Sequence, residues 1–164
     1  MNWVLAISYW LHLLTTVVWL GGLVVMALIA FPAWFQATLD DNQWLNLQSR
    51  LLPYVNASMV VLWVTGFYQM TVDAQYSGFL AIDSNWAIAI LLKHVAVVAM
   101  TGIGLYSQLR VLPAFERIEL LRHNRPKIAA EERAVLQRQE RRLLRTNLVC
   151  AVIVLFFTAV ATAV

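Results

Sequence analysis

Charge is what this sequence has least of. Twelve Lys and Arg and nine Asp and Glu are spread over 164 residues, 13% of the chain, where an ordinary soluble domain carries about 25%. No Lys or Arg precedes Arg50. The N-terminal apolar run therefore lacks the basic region of a secretory signal, is longer than a signal's core, and reads as a retained first span. There is one cysteine, Cys150; it excludes an internal disulfide and reads as a small packing residue. Absent too are CxxC, HExxH, a glycine-rich phosphate loop, a carboxylate pair within an apolar stretch and a Ser–His–Asp set. Hydrolytic and phosphoryl-transfer chemistry is excluded with them.

What fills the space is hydrophobic. Apolar residues make up 61% of the chain, and mean hydropathy is +0.68. Four apolar stretches stand out, at residues 3–31, 53–72, 86–109 and 146–164. Each approaches or exceeds the ~20 residues needed to cross a ~30 Å hydrocarbon core. The expected fold is all-α and integral to the membrane. Four transmembrane helices form an up-down bundle, with residues 1–164 as a single domain and the lipid bilayer as its surroundings.

The basic residues are concentrated. Ten of the twelve lie between positions 110 and 145; the others are Arg50 and Lys93. The positive-inside rule places that segment in the cytoplasm of a cell whose inner (plasma) membrane holds the chain. Both termini and the loop at 73–85 are then outside. The segment is rich in helix formers, broken at His123-Asn124-Arg125 before Pro126. It reads as a helical hairpin continuing spans three and four, with a turn there and Pro126 opening the second arm. Pro113 is placed to kink the first arm. Ile118, Leu121, Ile128, Val135 and Leu143 are its expected seam, with Arg and Glu outward. Glu116, Glu119, Glu131, Glu132 and Glu140 dilute the positive charge, so the face reads as solvated. The alternation of signs gives no nucleic-acid surface.

Inside the spans only His12, Lys93 and His94 are strongly polar. Ionisable groups in hydrocarbon are costly and point to function by default. Trp3 and Trp86 suit the outer interface as anchors. His12 follows the first by nine residues and His94 the second by eight, so both lie roughly 12–14 Å deeper at 1.5 Å per residue. Spans one and three run the same way, and in an up-down bundle they are diagonal neighbours. Two imidazoles facing one another there would suit the two faces of a haem iron. Ser8, Thr15, Thr16 and Trp19 share the His12 face, with Gly21 and Gly22 behind. Ala87, His94, Thr101 and Gln108 recur every seven residues on span three, which Gly102 and Gly104 thin. Asn56, Trp63 and Met70 lie on one face of span two. Lys93 points about 100° from His94, towards a haem propionate or out to headgroups. Met26, Met59, Met70 and Met100 form no close pair and read as core filler before they read as a copper path.

His12-x6-Trp19-x2-Gly22-Leu23, with Leu92-Lys93-His94 and the later Tyr106 and Leu112-Pro113, resembles the copper-resistance protein D (CopD) family. The likeness is strongest in spans one and three. The first of these motifs is also similar to the membrane protoporphyrinogen oxidases, whose lysine on a later span Lys93 would match. That family continues into basic, histidine-bearing sequence after the glycine, whereas "VVMALIAFPAWFQ" here has neither. The resemblance implies a four-helix membrane protein handling haem or copper, with His12, His94 and Lys93 at its site. The charged hairpin matches neither family.

The leading expectation is a b-type haem-binding protein serving electron transfer or a membrane redox complex. Its ligands are His12 and His94; Lys93, Trp19, Gly22 and Thr101 surround the cofactor. Its partners are a redox protein or neighbouring subunits, with oligomerisation open. The alternatives are a copper transport or resistance protein, an enzyme acting on a tetrapyrrole, and an accessory subunit without cofactor.

Overall fold

The computed structural model describes residues 2–76, 78, 82–122 and 125–163. The described chain is a bundle of four long helical rods. The first comprises α1 (Trp3–Val25), a π-helical turn at Met26–Ala30 and α2 (Phe31–Phe35). The second is α3 (Asp41–Thr71). The third comprises α4 (Asn85–Tyr106), a π-helical turn at Ser107–Val111 and α5 (Leu112–Arg122). The fourth is α6 (Pro126–Ala163). All four are long and apolar enough to cross a membrane. Most of their apolar side chains face outward, as lipid requires and water would not tolerate.

The rods outrun the apolar stretches. The second begins at Asp41 rather than at Pro53, which it carries in its interior. Its start is fixed by a reciprocal cap: Gln43 N–H donates to Asp40 Oδ1 at 2.7 Å and Asp40 N–H to Gln43 Oε1 at 3.0 Å. The two π turns each stop just short of Phe31-Pro32 and Leu112-Pro113. A proline lacks the N–H its helix needs and crowds the carbonyl four residues back, and a wider turn relieves both. That is the expected irregularity at Pro113, with a twin at Pro32.

Antiparallel registers order the bundle. On the α1–α3 side, Gln69 Nε2 donates to Ser8 Oγ at 3.3 Å, and His12 meets Thr65 at 2.7 Å. Further along, a Cβ on Gly22 would lie 3.4 Å from Val55, so glycine lets these two helices approach closely. On the other side α4 packs closely along α6. Helices α3 and α4 meet through long side chains. Met70 packs with Ala87, Trp63 Nε1 donates to Thr101 Oγ1 at 3.3 Å, and Asn56 and Gln108 exchange amide hydrogen bonds of 2.9 and 3.2 Å. The seven-residue stripe of α4 and the Asn56–Trp63–Met70 face of α3 are thus two halves of one seam.

Beyond the apolar level, the hairpin arms α5 and the first half of α6 close on the end of the first rod. Trp34 and Trp44 stack at 4.8 Å with planes 5° apart, flanked by Phe31 and Phe115. Trp34 Nε1 donates to Asp41 at 2.7 Å, and Arg133 reaches the same carboxylate at 2.6 Å while lying over the Trp34 ring. The hairpin's seam differs from the expected one. Ile118 is buried and Leu143 packs inward, but Ile128 and Val135 are exposed, and Ala129 and Leu136 take their places. A one-residue step turns a helix by about 100°; α6 keeps the phase set by its membrane half. Glu140, expected outward, is buried for the same reason. Pro126 opens α6 as expected, whereas His123 and Asn124 of the expected turn lie outside the described residues.

Candidate functional site

His12 and His94 both reach α3, at one level. His12 Nδ1 lies 2.7 Å from Thr65 Oγ1, whose own hydrogen goes to Val61 O at 2.7 Å. Thr65 Oγ1 thus bridges His12 Nδ1 and the Val61 carbonyl. His94 Nδ1 lies 2.7 Å from the Ile90 carbonyl, which can only accept. Both rings are hydrogen-bonded at Nδ1, the arrangement in which a backbone or side-chain anchor orients an imidazole as a metal ligand. The His94 ring stacks on Phe67 at 5.7 Å and tilts against Trp63 at 6.4 Å. A Cβ on Gly66 would lie 3.5 Å from His12 Cε1. One turn of α3, residues 63–67, thus carries both histidines. Lys93, next to His94 in sequence, makes no hydrogen bond or ion pair with a described residue.

The rest of the expected surroundings are elsewhere or otherwise engaged. Trp19 and Gly22 line a cavity of about 130 Å³ whose walls include neither histidine. Thr101 is tied to Trp63 and, at 3.6 Å, to Met59 Sδ. Thr15 and Thr16 bond carbonyls of their own helix, the usual fate of hydroxyls in a membrane helix. Trp86, expected as an interface anchor, is buried with Met70. Aromatic rings, rather than room for a macrocycle, lie against His94. Haem binding finds no support in this arrangement.

The methionines take on a pattern that the sequence did not display. Met70 is buried against Trp86 and Ala87 at one end of the seam. Met59 packs beside Met100, Trp19 and Leu23, past the histidine level. Met26 follows, lining the cavity. Soft donors therefore recur along the inner face of α3. From Met70 to Gln48, at the cavity, that face is about 33 Å long at 1.5 Å per residue, comparable with the hydrocarbon thickness. Sequence spacing within single spans could not show this, because neighbouring donors come from different helices. Among the described residues no group of three or more His, Cys, Asp and Glu is placed to hold a metal ion.

Four apolar helices with outward apolar faces define a multi-pass membrane protein. The family model of copper resistance protein D (CopD) matches residues 45–161. The chain belongs to the CopD family. The match runs across the charged hairpin, for which the sequence motifs offer no family likeness, and leaves out the whole of the first rod with His12. No curated protein and no solved structure gives a significant match.

Proposed function

We propose that this protein passes copper across the membrane along the inner face of α3, as cargo and not as a resident cofactor. The observation that carries the reading is the pair of imidazoles that lie against one turn of α3, His12 through Thr65 and His94 through Phe67 and Trp63. Imidazole and thioether are ligands that suit copper, the thioethers favouring Cu(I). A path also needs stations that bind weakly enough to release. Two imidazoles and scattered thioethers meet that condition better than a closed four-ligand cage. The family to which the chain belongs supports copper over haem. The ten basic residues at 110–145 support an orientation with the hairpin in the cytoplasm and both termini outside.

The test is copper entry into proteoliposomes containing a chromophoric Cu(I) chelator. Uptake above protein-free vesicles is expected, with His12→Ala and His94→Ala each slowing it at least about tenfold, the scale of a lost ligand interaction. Lys93→Met removes a positive charge next to His94 in sequence and is expected to tighten copper retention. Uptake equal to that of empty vesicles overturns the reading. So does a sharp α-band on reduction of the purified protein, which would restore haem.

A further inference from the structure

Glu140 is the least expected residue in the fold. It is 2% exposed, in the half of α6 that otherwise carries solvated charge. Its carboxylate accepts from Gln48 Nε2 at 3.2 Å and from Ser107 Oγ at 3.0 Å. Both donors are neutral, and no cation among the described residues pairs with it. The adjacent Arg141 and Arg142 are exposed, the former over the Phe35 ring at 5.4 Å. A buried charge without a counter-charge is costly.

The carboxylate lines the cavity of about 130 Å³ that Trp19 and Gly22 also border. Two further oxygens point to its use. Gln48 Oε1 and Asn147 Oδ1 are buried without any hydrogen-bond partner, and both residues line the same cavity. Gln48 turns its NH₂ to the Glu140 carboxyl and its carbonyl oxygen away from it. Three rods therefore bring a carboxylate, two unpartnered amide oxygens and the Ser107 hydroxyl to one chamber. Buried carbonyl oxygens left without donors call for something positive.

We infer that this chamber is a binding site for a hard monovalent cation, Na⁺ or K⁺, held by Glu140, Asn147 and Ser107, with the Gln48 amide positioning the carboxylate. Oxygen donors select hard cations over Cu(I). One negative charge balances one positive charge, whereas dedicated Ca²⁺ sites gather several carboxylates. The chamber lies past the histidine level, at the Gln48 end of the α3 face proposed for copper, and differs from that path in offering oxygen donors.

The test uses the purified full chain in detergent. Thermal unfolding is followed in NaCl, KCl, CaCl₂ and N-methylglucamine chloride at matched ionic strength, alongside retention of radioactive ²²Na⁺. Na⁺ or K⁺ is expected to raise the unfolding temperature saturably, with KCl competing for or replacing ²²Na⁺. Glu140→Gln should abolish the effect. Asn147→Leu should weaken it at least about tenfold. If Glu140→Gln fails to fold, Asn147→Leu decides. Equal unfolding temperatures in all salts with no ²²Na⁺ retained overturn the site and leave ordered water in the chamber. A response to Ca²⁺ alone, or an unaltered response in either folded variant, also overturns it.

Discussion

The two levels of this bundle are built by different rules. At the hairpin level, Trp34 and Trp44 are 1% and 0% exposed and lie in a close aromatic cluster with Phe31 and Phe115. Polar groups there are drawn into the cluster, as the Asp41 carboxylate shared by Trp34 and Arg133 shows. At the apolar level few side chains are buried, and contact between α3 and α4 depends on single hydrogen bonds and ring contacts. The solvent accounts for the difference. Water drives apolar side chains together with a force proportional to area. Lipid tails are as apolar as leucine, so helices inside them associate through close approach and polar contacts.

Substitutions can break this contrast or sharpen it. Trp44→Ala strikes the water-driven cluster and should lower unfolding free energy by about 3–5 kcal/mol, the usual cost of deleting a buried aromatic side chain. Denaturant or thermal unfolding in detergent reads that loss. Asp41→Ala comes next. The ion pair with Arg133, 37% exposed on the arginine side, adds little by itself. Stranding the buried Trp34 N–H costs about 1–3 kcal/mol, and Arg133→Ala should therefore be milder than Asp41→Ala in the same assay. Thr101→Val removes the acceptor for Trp63 within the apolar level. Its cost should be only about 0.6 kcal/mol, the average measured for hydrogen bonds between membrane helices. If Thr101→Val proves as damaging as Trp44→Ala, the two levels do not differ in kind.

Much of the site lay open in the sequence because helical periodicity survives folding. The stripe of Ala87, His94, Thr101 and Gln108 needed only the count of seven, and the structure sets it against Asn56, Trp63 and Met70. The matched depths of His12 and His94 followed from counting rise per residue. Periodicity did not reveal that both histidines would anchor on a third helix, nor that Phe67 would lie against one of them. The hairpin failed for an instructive reason. Its seam was phased on its own hydrophobic residues, Ile128 and Val135. Stepping back from Ala151 by threes and fours, through Asn147 and Leu144, would have reached Glu140, Leu136 and Ala129. An unbroken helix has one phase, and the membrane half sets it.

By itself the sequence determined the four spans, their up-down order, the uneven distribution of charge and the depth of each polar group. These depend on length, hydropathy and helical pitch, which are local. Only the tertiary structure decided which groups meet. The contact of His12 with Thr65, the run of methionines along α3 and the oxygen-lined chamber around Glu140 each combine side chains from separate rods. Their relations depend on helix rotation and register, which packing fixes and which no single span encodes.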